Sequence, residues 1–327
     1  MHRFKEDSLK GNLSNNAFTR EIYPMLVPGI REKISKVDNN ILNSLIEIRL
    51  RANKPLVLES IKGELFLDKK GQIINSPQRA YFTSERDIVE SLDLMTESSL
   101  YTLDEEVRAG FLTLAGGHRV GLVGQVISEE GKIKRIKHIS SINIRICQEV
   151  IGAGDKVFTK IIAGKQDIYN TLIISPPRCG KTTLIRDLAR QISDGSSQFA
   201  FKGLKVGVVD ERSEIGGAYR GVNRNRLGLR TDLLDRCPKA EGMMLLIRSM
   251  SPDIIITDEI GSKEDVNALM EAINAGVRVI TTVHGSNLED IRRRPSLKEI
   301  LNARVFKRIV VLSSRKGPGT VEEVIKG

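Results

Sequence analysis

The strongest constraint on the fold is a strand–loop–helix segment at residues 171–192, which reads TLIISPPRCGKTTLIRDLARQI. The β-branched apolar run TLII predicts a buried strand. Apolar residues then recur on one face of a predicted helix, at Leu184, Ile185, Leu188, Ala189 and Ile192. Between the two, Gly180-Lys181-Thr182 matches the end of the phosphate-binding pattern G-x-x-x-x-G-K-[ST]. The segment therefore predicts a nucleotide-binding α/β fold.

The first position of this loop departs from the pattern, because Ser175 replaces glycine and two prolines follow it. The chemistry needs successive backbone N–H groups at a helix N-terminus, and most of these come from the second half of the loop, which contains no proline. Ser175 is small enough for a tight strand exit, and the prolines fix φ where the loss of N–H groups costs little. We therefore predict that the loop binds nucleotide despite the substitution.

Two residues of the loop have expected ligands of their own. Lys181 would contact the β- and γ-phosphates of ATP, and Thr182 would bind Mg²⁺. The full predicted ATP-binding loop comprises Ser175, Pro176, Pro177, Arg178, Cys179, Gly180, Lys181, Thr182 and Thr183.

The second half of the chain repeats the arrangement of a short apolar run followed by polar residues and a helical stretch. The runs are TLII, KVGVV, DIIIT and VRVITT. Runs buried on both faces and separated by helices predict a doubly wound parallel sheet. Ligands bind at the carboxyl ends of the strands in such sheets, so the polar residues after each run should share one edge.

Two acidic pairs follow strands at this edge. Asp258-Glu259 follows DIIIT, and Asp258 fits the usual Mg²⁺ partner of a phosphate loop. Asp210-Glu211 follows KVGVV. Either Glu211 or Glu259 can position the attacking water, and the sequence does not separate them.

His284 and a group of arginines complete the predicted site. His284 follows VRVITTV, where a neutral imidazole can sense the γ-phosphate by hydrogen bonding. The glycine-rich stretch 211–232 carries arginines that suit either a solvated basic loop or a residue supplied to a neighbouring subunit. They are Arg212, Arg220, Arg224, Arg226 and Arg230, and a further basic patch is Arg292-Arg293-Arg294.

The first half predicts a separate, mixed α+β domain. Ser84 is a candidate N-cap for a helix over SERDIVESLDLM, and FLTLAGGHRVGLVGQVIS predicts two strands around Gly116-Gly117. One or two further strands are expected at 133–146. We predict a poorly ordered lead-in at residues 1–20, a smaller N-terminal domain at 21–150 and the nucleotide-binding domain at 151–327.

Composition limits the classes of partner. The net charge of +10 is concentrated in residues 151–327, which carry 29 Lys and Arg against 21 Asp and Glu. This excess suits nucleotide, nucleic acid or lipid head groups. The lack of Trp argues against base stacking as the main mode of nucleic-acid binding. No apolar run approaches the ~18–20 residues that span a bilayer, and the start lacks the apolar core of a secretory signal. We expect a cytoplasmic protein.

The motif order resembles the type II and type IV secretion ATPases over roughly residues 150–300. SPPRCGKTTLIRDLAR, VVDERSEIGGAYRG, EGMMLLIRSMSPDIIITDEIG and AGGHRVGLVGQV together resemble the stage III sporulation protein AA family across nearly the whole chain. In that family the initial SPP is normal. The resemblance implies a RecA-like P-loop ATPase domain behind an N-terminal domain. It also implies a hexameric ring, peripheral at the mother-cell membrane facing the forespore, working with membrane-bound channel proteins of endospore formation.

Three function classes follow. The leading hypothesis is an ATP-hydrolysing motor that couples turnover to channel assembly or transport. The alternatives are a nucleic-acid-stimulated P-loop ATPase, suggested by the basic second half, and a non-hydrolysing nucleotide-gated scaffold.

The sequence departs from the secretion ATPases in two ways. It lacks the tetracysteine metal-binding module that many of them carry, and it has Asp258 where their corresponding acidic segment commonly lacks an Asp.

Overall fold

A computed structural model divides the chain into two units, Met1–Gln148 and Glu149–Gly327. It describes residues 18–96, 107, 110–114, 116–147, 149–218 and 221–327. The predicted lead-in lies outside the described residues as far as residue 17. Phe18 and Ile22 are buried, so packed structure begins before residue 20.

The first unit contains seven main strands, which are Leu45–Arg51 (β1), Val57–Ser60 (β2), Gly63–Leu67 (β3), Ile73–Ile74 (β4), Phe111–Thr113 (β5), Arg119–Glu129 (β6) and Lys132–Arg145 (β7). They form one antiparallel sheet in the order β4-β3-β2-β1-β7-β6-β5. The helices are Pro28–Ile34 (α1), Asn39–Leu42 (α2) and Glu85–Met95 (α3). The mixed α+β architecture is as predicted, with one long strand at 132–145.

Helix α3 begins as its sequence predicts. The Ser84 hydroxyl accepts a hydrogen bond from Asp87 N–H, and the Asp87 carboxylate accepts one from Ser84 N–H. This reciprocal capping satisfies two N–H groups that a helix start otherwise leaves without a partner. Ile88, Leu92 and Met95 are buried in the core of this unit.

The second unit is built on a seven-stranded sheet, whose strands are Thr171–Ser175 (β8), Val206–Asp210 (β9), Thr231–Asp235 (β10), Ile254–Thr257 (β11), Arg278–His284 (β12), Arg308–Ser313 (β13) and Thr320–Lys326 (β14). Their order in the sheet is β10-β9-β11-β12-β8-β13-β14. The first six are parallel, and β14 pairs antiparallel with β13 at the sheet edge.

Helices cover both faces of this sheet. They are Asp155–Ile161 (α4), Lys181–Asp194 (α5), Lys239–Met250 (α6), Lys263–Asn274 (α7), Leu288–Arg292 (α8) and Pro295–Asn302 (α9). Alternate residues of β8 enter different cores: Ile173 packs with α4 and α5, whereas Leu172 and Ile174 pack with α6 to α9. The predicted doubly wound sheet is therefore present, because the central strands β8, β9, β11 and β12 are buried and helices cover both faces.

The predicted strand–helix alternation is wrong after β9. No helix follows Asp210 directly; the described part of the chain instead runs through a loop into a further parallel strand, β10, before α6 begins. All five residues of β10, TDLLD, are only half-buried. An edge strand covered on one side needs no continuous apolar run, which explains why its sequence does not read as a buried strand.

Short ribbons and turns complete the described elements. The ribbons pair Lys54–Pro55 with Phe82–Thr83, Ile162–Gly164 with Asp167–Ile168, and Gly195–Ser196 with Phe201–Lys202. Single helical turns lie at Phe18–Ile22, Tyr23–Met25, Pro77–Arg79 and Ser197–Phe199. No helix within the described residues has the length and apolar character needed to cross a bilayer.

Candidate functional site

The phosphate loop lies between the end of β8 and the start of α5. Ser175 is fully buried and is the last residue of β8, where it pairs with His284 of β12. Gly180 precedes the helix with φ of +80°, a left-handed conformation that favours glycine. Arg178 also has a positive φ, of +60°. Such backbone conformations in non-glycine residues concentrate at functional sites.

The rest of the predicted loop spans the same connection. The two prolines directly follow β8 and so lie in the upstream half of the loop, where Pro176 is half-buried and Pro177 is exposed. Cys179 is buried, and Thr182 and Thr183 belong to the first turn of α5. The N–H groups at the start of α5 have no intrahelical partner, as at every helix N-terminus. They give this end of the helix its affinity for anions.

The Lys181 side chain gathers three of the other predicted site residues. It is only 8% exposed. Its Nζ lies 3.4 Å from His284 Nε2, 3.5 Å from Asp258 Oδ1 and 4.0 Å from Glu259 Oε2. The carboxyl ends of β8, β11 and β12 therefore meet at one point, as the parallel sheet requires.

Two oxygen-bearing side chains lie side by side where Mg²⁺ is expected. The Thr182 hydroxyl donates to Asp258 Oδ2 at 3.1 Å, and Thr282 donates to the other oxygen, Oδ1. Hydroxyl and carboxylate oxygens are ligands that Mg²⁺ prefers, and a nucleotide-bound Mg²⁺ takes most of its remaining ligands from phosphate and water. The donor set fits this ion.

Glu259 is held in a fixed orientation by β12. Its φ is +51°, and its N–H donates to the Thr282 hydroxyl at 2.8 Å. The next residue, Ile260, donates its N–H to the Thr282 carbonyl at 2.9 Å. The Glu259 carboxylate contacts His284 Nε2 at 3.3 Å and Arg212 at 3.4 Å. The polar contacts of the His284 ring run through Nε2, because within the described residues its buried Nδ1 has no hydrogen-bond partner.

Both acidic pairs line one cavity of about 260 Å³. Glu211 lies at its exposed rim, where Lys239 of α6 forms a close ion pair with it. Arg212 and Arg294 add two further cations to the lining. The two glutamates thus share a cavity but differ in surroundings, since Glu211 pairs with the Lys239 ammonium group and Glu259 faces Lys181 and His284.

Asp210 organises the loop that follows β9. Its buried carboxylate accepts hydrogen bonds from the N–H groups of Glu214, Ile215 and Gly216 at 3.0, 2.8 and 2.8 Å. Burial raises the pKa of Asp210 above its ordinary value although these three donors oppose the shift. The carbonyls of the same loop are held by α5, because Arg186 donates hydrogen bonds to the carbonyls of Ile215 and Glu214. The acidic loop is thereby attached to the helix that begins at the phosphate loop.

Replacing Asp210 with alanine is expected to lower the free energy of unfolding by about 3 kcal/mol, because three N–H groups lose their acceptor, two of them in buried hydrogen bonds. Urea denaturation measures the change. Asp253→Ala is the matched control, since the exposed Asp253 accepts only one backbone hydrogen bond, from Lys205. A loss below about 1 kcal/mol for both variants would contradict the role given to Asp210.

The other predicted arginines fall into different places. Arg230 donates to Ser193, and Arg226 contacts Glu149 at 3.8 Å, so both hold the loop after β9 to its own unit. The N–H of Arg224 donates to the Gly216 carbonyl. Arg220 lies outside the described residues. Of the arginines that the structure describes in this stretch, Arg212 is the one that lines the cavity.

Three residues at the site were not predicted from the sequence. Thr282 holds both Asp258 and Glu259, Lys239 pairs with Glu211, and Arg186 attaches the acidic loop. Thr282 could have been found from the sequence, because a polar residue within the apolar run of β12 indicates a hydrogen-bonding role. Arg186 follows Leu184-Ile185 in an amphipathic helix, and its burial indicates a paired role.

A family model described as "Sporulation stage III, protein AA" matches residues 17–326. The chain belongs to this family. Stage III sporulation protein AA of Bacillus subtilis (strain 168) is 42% identical over 304 residues, which covers 93% of this chain and 94% of that protein. The resemblance identified in the sequence is therefore confirmed, and the family's motifs apply along nearly the whole chain.

Solved structures similar to this family member include an ATPase and a pilus retraction motor. The ATPase DotB of Legionella pneumophila has a TM-score of 0.54 at 16% identity, covering 82% of this chain and 72% of DotB. The pilus retraction motor PilT, with bound ADP, has a TM-score of 0.53 at 17% identity, covering 83% and 75%. At such identity the likeness shows the fold. It confirms the predicted class, a RecA-like P-loop domain preceded by an N-terminal domain.

Proposed function

We propose that this chain is an ATP-hydrolysing motor of endospore formation that couples ATP turnover to the assembly or operation of a channel. The observation that carries the proposal is the convergence of Lys181, Thr182, Asp258, Glu259 and His284 at the N-terminus of α5. A loop that binds phosphate and a carboxylate that can activate water lie within one site, which is what hydrolysis requires.

In this proposal the chain's residues divide the work of ATP hydrolysis. The N–H groups of the loop and the Lys181 ammonium group hold the phosphates and stabilise charge on the γ-phosphate. Thr182 and Asp258 would hold Mg²⁺, which neutralises the phosphate oxygens when bound. Glu259 polarises the attacking water, since its backbone is held by Thr282 and its carboxylate faces Lys181. His284 would sense the γ-phosphate through Nε2.

Glu211 is the other candidate base, and its contacts argue against it. Its carboxylate is paired with Lys239 at the rim of the cavity. Glu259 also contacts cations, but one of them is Lys181 of the phosphate loop, whereas the ion pair of Glu211 is with Lys239 of α6. We therefore assign the base to Glu259 and a structural contact with α6 to Glu211.

The wider setting follows from the relatives. We propose that residues 21–150 and 151–327 act as N-terminal and ATPase domains of a hexameric ring. The ring would be peripheral at the mother-cell membrane facing the forespore and would work with membrane-bound channel proteins. The support is the membership of the sporulation family and the fold shared with DotB and PilT.

The expected result is Mg²⁺-dependent ATP hydrolysis whose specific activity rises with protein concentration, because a neighbouring subunit completes the site. Measuring phosphate release against protein concentration tests this. Chelation of Mg²⁺ should remove the activity. Single-stranded DNA serves as a second arm: salt-dependent stimulation by DNA would favour the nucleic-acid-stimulated ATPase over the channel motor.

A further inference from the structure

The turn between β13 and β14 rests directly on the phosphate loop. Gly319 N–H donates to the Cys179 carbonyl at 2.8 Å. A Cβ atom added at Gly180 would lie 2.9 Å from Gly319 N, so the two backbones are in close contact. These residues lie about 140 positions apart in the sequence, and no catalytic role accounts for their contact.

The turn has a defined structure of its own. Gly317 N–H donates to the Ser314 carbonyl at 3.0 Å, and the Thr320 hydroxyl donates to the Gly317 carbonyl at 2.7 Å. At its base Arg315 pairs with Glu322 of β14 at 2.9 Å. Because these bonds fix the turn before any ligand is present, it can act as a rigid support for whatever it contacts.

The hydrogen bond from Gly319 to the Cys179 carbonyl also fixes the direction of the Gly180 N–H, which belongs to the same peptide group. The peptide between Cys179 and Gly180 is planar and trans, so its carbonyl and its N–H point in opposite directions. With the carbonyl held by the turn, the Gly180 N–H points away from the turn. Successive N–H groups aimed at one point are what a phosphate-binding loop needs.

We propose that Gly319 is a positioning residue of the nucleotide site, which orients the Gly180 N–H for phosphate by holding the Cys179 carbonyl. The inference rests on the proposed nucleotide site. It assigns to the turn 314–320 the role of a support that fixes the phosphate loop. By linkage, bound phosphate should in turn stabilise the contact between turn and loop.

Gly319→Ala and Gly317→Ala form a matched pair of variants. Both glycines have positive φ, +82° and +104°, and a Cβ atom at either would meet nothing within 4 Å. The strain in the turn is therefore of the same kind, but only Gly319 bonds to the loop. Alanine keeps the Gly319 N–H, but it strains a backbone whose φ is +82° and so moves that N–H away from the Cys179 carbonyl. With the Gly180 N–H no longer oriented, the Kd for ATP should rise about fivefold to tenfold in Gly319→Ala, and less than about twofold in Gly317→Ala.

The binding measurement uses full-length protein, fluorescent ATP and inorganic tripolyphosphate, with thermal unfolding of each variant as a check of folding. Because the affected N–H group binds phosphate, the affinity for tripolyphosphate should fall by the same factor as the affinity for ATP. Equal losses in the two variants, or no loss in either, would overturn the inference while leaving the nucleotide site standing. If wild-type protein bound no nucleotide, the proposed function itself would fail.

Amide hydrogen exchange on wild-type protein gives a second test that needs no variant in the turn. ATP should slow exchange in the segment 314–320, since phosphate stabilises the contact that protects Gly319 N–H. Lys181→Ala protein under the same conditions should show no such slowing. Unchanged exchange in wild-type protein saturated with ATP would contradict the proposed coupling.

Discussion

Lys181→Ala is expected to lower ATP affinity by at least about 100-fold, which corresponds to about 2.7 kcal/mol. Lys181 is the one cation that contacts Asp258, Glu259 and His284 together among the described residues, and it is 92% buried against them. Its removal takes away the ammonium group that faces both carboxylates, although Arg212 remains beside Glu259. Fluorescent-nucleotide titration measures the loss, and ATP hydrolysis should disappear with it.

Lys202→Ala is the matched control for this variant. Lys202 is exposed in a short ribbon and makes its backbone contact to Lys165, away from the site. It removes the same charge from the same unit, so it corrects for the general effect of net charge on nucleotide affinity. If the two variants lost affinity equally, the attraction would be a property of the basic unit as a whole, and the assignment of Lys181 would be wrong.

Glu259→Gln is expected to lower the rate of ATP hydrolysis by at least about 100-fold while the Kd for ATP changes less than about threefold, the signature of a lost general base. Glutamine keeps the size of the side chain and the backbone contacts to Thr282, so the strained turn at this residue should survive. The hydrolysis rate of Glu211→Gln should stay within about tenfold of the wild-type rate, because the Glu211 carboxylate is engaged in an ion pair with Lys239. Phosphate release and nucleotide titration, measured on the same preparations, separate the rate from the affinity.

The pair of glutamate variants discriminates between the two bases that the sequence leaves open. A loss of hydrolysis confined to Glu211→Gln would reverse the assignment and imply that Lys239 moves away during turnover. Equal losses in both variants would mean that each carboxylate acts in the reaction. Normal turnover in both would place the water-activating group elsewhere in the assembly.

The parallel sheet and its ligand edge could be predicted because the sequence carries them locally. TLII, KVGVV, DIIIT and VRVITT are short, apolar and rich in β-branched residues, which predicts buried strands, and all four were confirmed as strands. Once they are parallel, the positions of Lys181, Asp258 and His284 at one edge follow from topology. The start of α3 could likewise be predicted, because the Ser84 side chain itself caps the helix.

What escaped prediction depends on residues that are distant in sequence. Lys239 lies 28 positions beyond Glu211, and nothing in the spacing indicates that their side chains form an ion pair. The hydrogen bond from Gly319 to Cys179 joins residues 140 positions apart, one of them in a turn that reads as an ordinary hairpin connection. Strand β10 was missed because its half-buried residues give no continuous apolar run.

Ser175 shows why the phosphate loop of this chain lacks its first glycine. The residue ends β8 in a fully buried, hydrogen-bonded register with His284, and its φ is not positive. That position therefore selects for a small side chain and makes no demand for the backbone freedom of glycine. A genome survey that requires glycine there would pass over this chain, whereas one that accepts any small residue at the end of a buried strand would retrieve it.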